Sequence, residues 1–315
     1  MMSQPRFDLI TSIASQCTLA EGPVWDTRTG ALWFTDIQNS ELLLYHWGSG
    51  TLRRFALPER LGSIGLTSDP GKLICAFASG FAKFRPATGE CQWLHRIEPE
   101  YRGLRMNDGR MDRFGRFWAG SMVENEAQAP PERGSLYLLD RSDGLAAEKM
   151  LEGISISNSI CFSPDGRFLY FADTPTQEIV RYTCPPDKGA LSGRVSFARL
   201  NARAYPDGSD VDAAGRVWNA EWGSGRVTAY EPDGSIFAQI DLPVSQASCV
   251  AFGGPALDLL FVTTAREGLS ADRLTREPHA GDVLVYQTGV KGLAAPVFQC
   301  RASQFHDDPD GPNAF

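Results

Sequence analysis

Asp112-Arg-Phe-Gly-Arg-Phe-Trp118-Ala recurs, with Asp, Gly, Arg and Trp at the same offsets, as Asp212-Ala-Ala-Gly-Arg-Val-Trp218-Asn. In both stretches Asp-x-x-Gly has the chemistry of a tight hairpin turn, and the residues that follow are the β-branched and aromatic types that favour strands. Looser copies stand at Asp26-Thr-Arg-Thr-Gly-Ala-Leu-Trp33, Asp69-Pro-Gly-Lys-Leu-Ile74, Pro164-Asp-Gly-Arg-Phe-Leu-Tyr170 and Gly254-Pro-Ala-Leu-Asp-Leu-Leu-Phe261. Positions 33, 74, 118, 170, 218 and 261 are separated by 41, 44, 52, 48 and 43 residues. Intervals of that size are the length of one four-stranded propeller blade.

Outward from each turn, Ser135–Asp140, Ile179–Tyr182, Arg226–Tyr230 and Asp282–Tyr286 read as the next strand of their blades. Helical periodicity is absent except for one short helix predicted over Ala271–Arg276, opened by Ser270. A single blade cannot bury both of its faces, so six of them close around an axis. The fold class is therefore all-β, a six-bladed β-propeller, expected to form one domain over residues 1–315. Phe7–Ile13 has strand character and is expected to complete the last blade beside Gly281–Tyr286. The tail 306–315, rich in Asp, Pro and Gly, is expected to be mobile.

Composition narrows the function classes. The 315 residues are 43% hydrophobic and 22% charged, enough to bury a large core. With 30 Lys and Arg against 38 Asp and Glu, the net charge of −8 offers no basic footprint for nucleic acid. No run approaches the apolar length of a membrane span, and the N-terminus lacks the pattern of an export signal. The seven Cys are odd in number, widely spaced and without a C-x-x-C pair, so they are expected as reduced thiols in a cytoplasmic protein.

The innermost strands of a propeller converge on a central channel, so residues at one phase of the repeat meet there. Counting back 11 to 13 residues from each aromatic or aliphatic position reaches Glu21, Ser63, Asn107, Asn158, Asp207 and Ser248. Every blade is thus expected to present an oxygen-bearing side chain at the axis. Two carboxylates and two carboxamides form an all-oxygen set that suits a hard or borderline divalent cation. Calcium fits this set best, with Mn, Mg and Zn as alternatives, and the absence of Cys and His at this phase argues against a structural zinc. Alternation along the strand puts Arg105 on the same face as Asn107, where its fork of donors can hold substrate oxygens.

Other chemistry is excluded by the motifs that are missing. There is no G-x-S-x-G, no phosphate-binding G-x-x-x-x-G-K-[ST], no H-E-x-x-H and no G-x-G-x-x-G. His46, His95, His279 and His306 are scattered and are read as surface or core residues. Asp210-Val-Asp-Ala-Ala-Gly215 with Glu221 nearly fits an EF-hand loop, but its fifth position is Ala214 and flanking helices are lacking. It reads as one more hairpin.

Leu19-Ala-Glu-Gly-Pro-Val-Trp25, Arg105-Met-Asn-Asp-Gly-Arg-Met-Asp112, Gly115-Arg-Phe-Trp-Ala-Gly-Ser-Met122, Ser157-Asn-Ser-Ile, Tyr205-Pro-Asp-Gly-Ser and Val262-Thr-Thr-Ala-Arg266 resemble the senescence-marker-protein/gluconolactonase/regucalcin-like family. The resemblance runs in the same order over nearly the whole chain. It implies a six-bladed propeller with one divalent metal in the channel and hydrolysis of sugar lactones. By matching motif it implies Glu21, Asn158 and Asp207 as metal ligands, Asp207 as general base, and Arg105 and Asn107 as binders of sugar hydroxyls. Some animal members carry a substrate-contacting Glu after Gly-Ser-Met122. Here the corresponding place is Asn125, with Glu124 beside it, and Val123–Gln128 is expected as a rim loop that tunes which sugar fits.

The expected activity is hydrolysis of an aldonolactone to the open acid, with the metal as Lewis acid. Two alternatives stand beside it: a calcium-binding regulatory propeller without catalysis, and a promiscuous hydrolase of esters or organophosphates. The expected partner is a small-molecule sugar lactone, with neither nucleic acid nor membrane, in a monomer or weak homodimer.

Overall fold

The hairpin turns of blades three and five close on themselves through an aspartate. Asp112 Oδ1 accepts the backbone N–H groups of Phe114 and Arg116, both at 2.9 Å, and Oδ2 accepts the indole N–H of Trp118 at 2.9 Å. Asp212 repeats the pattern, with Ala214 and Arg216 at 2.9 Å and the Trp218 indole at 3.1 Å. A carboxylate that satisfies two turn amides and a buried indole removes three donors that would otherwise be orphaned. That is why Asp, Gly and Trp recur at fixed offsets. It also disposes of the EF-hand alternative, because Asp212 is consumed by the turn and Glu221 accepts from Ser224 and Thr228.

The computed structural model describes residues 7–98, 102–140, 147–187, 190–201 and 203–299. Six antiparallel sheets make up the propeller. Their innermost strands are Ala20–Asp26, Leu61–Thr67, Leu104–Met111, Ser157–Phe162, Tyr205–Val211 and Ala247–Gly253, in blades one to six. In blade six the outermost strand is Asp8–Ile13, which pairs antiparallel with Val283–Gln287 and so joins the two ends of the chain in one sheet. The expected helix Ala271–Arg276 is present, with Ser270 Oγ accepting the N–H of Arg273. One strand was not foreseen: Val297–Phe298 adds in parallel to the edge of blade two beside Leu66 and Thr67. The tail 306–315 lies outside the described residues.

Packing follows a radial gradient. The innermost strands of blades one, two and six are buried at every residue, whereas the outer strand Thr51–Ala56 is largely exposed. Apolar side chains fill the six seams between neighbouring blades rather than the centre. Trp118 belongs to the seam of blades three and four, and Trp218 to that of blades five and six. Trp25 of blade one stacks on Phe261 of blade six, centroids 5.5 Å apart and planes inclined by 17°. Fully burying such a side chain contributes about 2–3 kcal/mol each.

At two positions beside the axis there is no room for a side chain. A Cβ on Gly208 would lie 2.1 Å from Cys249 Sγ, and one on Gly62 would lie 2.4 Å from the Asn107 carbonyl oxygen. The six described cysteines are free thiols, while Cys300 lies outside the described residues. Among the described residues no helix is long and apolar enough to cross a membrane.

Candidate active site

A bulge interrupts the innermost strand of all six blades at the same depth. Pairing shifts between Glu21 and Val24, Leu61 and Ser63, Met106 and Gly109, Asn158 and Cys161, Pro206 and Ser209, and Ala247 and Cys249. An extra residue on one strand bends it and re-aims the neighbouring side chains. Glu21 is followed by Gly22 at φ +55° and Asn158 by Ser159 at φ +60°, a left-handed conformation that few side chains adopt. In blades one and four the bulge is thus made by a residue forced into that region directly after a candidate ligand.

Glu21, Arg105, Asn107, Asn158 and Asp207 all line one cavity of about 390 Å³ at a mouth of the channel. They come from blades one, three, four and five and are nearly withdrawn from solvent, with Asp207 at 7% and Asn158 at 4% exposure. Ser63 and Ser248 do not line it. Ser248 donates to the carbonyl of Ala20 and lies 2.9 Å from Thr263 Oγ1, tying blade six to blade one. Hairpin pairing sets Gly65 against Ile74, so the residue three places before it, equivalent to Glu21 and Asp207, is Gly62 and not Ser63. Two of the six axial positions therefore give no donor to the cavity.

The electrostatics of the wall are unusual for a protein interior. Burial, then the charge of Asp108, pushes the Glu21 carboxyl up to about 8. Burial, then the charges of Glu21 and Asp108, lifts Asp207 well above the ordinary carboxylate range. Two carboxylates share one dry site and repel each other. Asp108 itself is structural, its oxygens accepting the N–H groups of Gly109 and Ile160 at 2.8 Å. Asn158 donates to Thr174 Oγ1 at 2.8 Å, which turns its Oδ1 toward Asn107, whose amide reaches it at 3.0 Å.

Glu21, Asn158 and Asp207 together offer only oxygen and two negative charges, a donor set that can hold a hard divalent cation. Among the described residues no cluster of three or more His, Cys, Asp or Glu side chains has metal-holding geometry.

Arg105 sits at the hub of the opposite wall. Its Nε donates to Glu124 Oε1 at 2.9 Å and its Nη1 to Asn107 Oδ1 at 2.6 Å. Arg60 grips the same Glu124 carboxylate with both amino groups, each at 2.6 Å. Glu124 thus lies behind Arg105 and does not line the cavity. Asn125 does not line it either: its Oδ1 accepts the N–H of Ala127 at 3.0 Å within the exposed loop. The 123–128 loop is anchored by the Glu124 and Asn125 amides, which both donate to the Gly103 carbonyl.

The rest of the wall was not foreseen. Leu19, Met122, Ile156, Pro175, Tyr205 and Trp222 form an apolar side, and Thr174 and Glu267 add polar atoms. Leu19, Met122, Ile156 and Trp222 each sit at an isolated bridge between strand ends, Leu19 to Ala265, Met122 to Ile156 and Trp222 to Gln246. None lies at the repeat phase, so counting from the hairpins could not find them. The hints lay in the family motifs: Leu19, Met122 and Tyr205 stand at the ends of theirs, and Val262-Thr-Thr-Ala-Arg266 leads directly into Glu267.

Comparison with known proteins agrees with this architecture. The chain is 40% identical over 284 residues to the L-arabinolactonase of Azospirillum brasilense, covering 89% of this chain and 92% of that protein. It is 36% identical over 286 residues to the 6-deoxy-6-sulfogluconolactonase of Pseudomonas putida, covering 89% and 94%. The crystal structure of the calcium-binding protein regucalcin from Agrobacterium tumefaciens superposes with a TM-score of 0.83 at 35% identity, covering 90% of this chain and 95% of that one. Residues 19–266, which carry all of the axial positions, match the SMP-30/Gluconolactonase/LRE-like region, and the chain belongs to that family.

Proposed function

We propose that this protein hydrolyses a sugar lactone to the corresponding aldonic acid, using a divalent cation held by Glu21, Asn158 and Asp207. The observation that carries the reading is the pair of mutually repelling buried carboxylates facing Arg105 and Asn107 across one cavity. That donor set fits a cation because Arg105 alone carries one positive charge against two carboxylates and is itself bonded to Glu124. Calcium is the expected ion, in keeping with the calcium-binding relative, with Zn, Mn or Mg as alternatives. When bound, the cation supplies Lewis-acid polarisation of the lactone carbonyl, worth several kcal/mol at the transition state.

The chain's own residues do the rest. Asp207 acts as general base and takes a proton from the attacking water as its oxygen bonds to the carbonyl carbon. The ring C–O bond then breaks, and the proton passes to the leaving alkoxide oxygen, which becomes the hydroxyl of the open acid. Asp207 would be ionised for this task when its carboxylate helps to hold the cation. Arg105 and Asn107 hold the ring hydroxyls, and their mutual hydrogen bond fixes both before substrate arrives. Trp222, Tyr205 and Ile156 face the C–H surfaces of the sugar and exclude water.

The test follows proton release from five- and six-membered aldonolactones before and after exhaustive chelation and again after metal is restored. Loss of rate on chelation with recovery on metal addition supports the reading. An unchanged rate in fully metal-free protein overturns the metal-dependent mechanism. The apolar wall favours one second reading, an esterase for apolar lactones or organophosphates. Faster turnover of apolar than of hydroxylated esters would move the assignment there.

A further inference from the structure

Glu267 differs from the other charged groups of the cavity wall. It follows the blade-six strand Leu259–Thr264 and is held from three directions. Its N–H donates to the Thr18 carbonyl at 3.0 Å, its own carbonyl accepts Gln246 Nε2 at 3.1 Å, and Oε1 accepts Gln38 Nε2 at 2.6 Å. Blades one and six therefore fix both its backbone and its carboxylate. Gln38 is neutral, so this hydrogen bond orients the carboxylate without cancelling its charge.

The arginines at the mouth are committed elsewhere. Glu267 adds favourable charge to both Arg60 and Arg105, yet neither donates to it: Arg60 bonds Glu124 and, at 3.4 Å, Gln38 Oε1, and Arg105 bonds Glu124, Asn107 and the Met106 carbonyl. Among the described residues Glu267 forms no ion pair. What remains is a rigidly held carboxylate facing a cavity, an acceptor with no donor of its own. Such a group binds hydroxyls and resists anions placed beside it.

We propose that Glu267 is the residue that selects uncharged polyhydroxy lactones: its second carboxylate oxygen accepts a substrate hydroxyl, and its charge rejects lactones bearing an anionic substituent on that side. This rests on the lactone-hydrolase reading above, and it names the class of lactone that the same site takes.

A matched pair of substrates tests it. D-glucono-1,4-lactone and D-glucaro-1,4-lactone differ only in a terminal hydroxymethyl against a carboxylate. The wild type in its metal-loaded form is expected to favour the neutral lactone by about tenfold in kcat/KM, the scale of one unfavourable charge contact. Glu267→Gln keeps the acceptor for Gln38 and removes the charge. It is expected to raise KM for the neutral lactone severalfold and to raise kcat/KM for the anionic one, closing most of the gap. High ionic strength should narrow the wild-type gap by screening and leave the variant's ratio unmoved. Equal or better turnover of the anionic lactone by the wild type, or an unchanged ratio in Glu267→Gln, overturns the inference while leaving the hydrolase reading intact. Failure of the wild type to open any lactone, with metal present, overturns both.

Discussion

Asn107 donates its side-chain amide to Asn158 Oδ1 at 3.0 Å across the seam between blades three and four. The same amide also reaches the Ser157 carbonyl at 3.0 Å, and Asn107 Oδ1 receives Arg105. One carboxamide therefore orients a candidate substrate arginine with its oxygen and a candidate metal ligand with its nitrogen. Such partners orient the ligands and so tune metal affinity.

Asn107→Ala should loosen both. The expected effect is a roughly 10–100-fold loss in metal affinity or activity. Metal titration by calorimetry, beside lactone KM and kcat, checks this. Unaltered affinity would mean that Asn158 is oriented by Thr174 alone.

The stability of the metal-free protein should fall as pH rises. Glu21 has a folded value of about 8 against the ordinary glutamate value of 4.5, so between these the folded state binds the extra proton. Stability from this group is complete below about 4.5 and is lost as pH climbs through 8, at a slope of up to about 1.4 kcal/mol per pH unit. Asp207 is shifted in the same direction and adds to the same sign. Thermal melts in chelator across that range should decline, Glu21→Gln should flatten the decline, and a bound cation should protect most at the alkaline end. A melt that rises with pH would contradict the buried, repelling pair.

Asp112→Ala should destabilise far more than Asp165→Ala, although both occupy hairpin turns. Asp112 is fully buried, pairs with Arg116 and holds the Trp118 indole, so its loss strands a buried cation and an indole donor. About 3–5 kcal/mol is expected. Asp165 is exposed and pairs with exposed Arg167, for which about 1 kcal/mol or less is expected. Urea unfolding of the two variants measures the difference.

Glu124→Ala should raise the lactone KM by about tenfold, because the buried Arg105 guanidinium loses the carboxylate that orients it. Asn125→Ala should change it by less than about twofold, the ordinary size of a surface substitution. Steady-state kinetics on one aldonolactone compares them, and the reverse ranking would put Asn125 in contact with substrate.

Hairpin chemistry is local: Asp-x-x-Gly with a Trp a few residues on specifies its own turn, so the blades and their period were readable along the chain, and Glu21, Asn158 and Asp207 with them. The resemblance carried by the motifs around them pointed to the same three. What only the tertiary structure decided was everything set by contact between blades. Hairpin length varies from blade to blade, so a count from the hairpin aromatics is uncertain by a residue, and only the pairing of Gly65 with Ile74 shows that Gly62 rather than Ser63 takes the axial place. Glu124 was legible as a candidate but not as the clamp behind Arg105, since Arg60 arrives from a different blade. Trp222, Thr174 and Glu267 come from strand ends and connections, whose direction depends on the neighbouring blade they pack against, and a one-dimensional pattern holds no record of that neighbour.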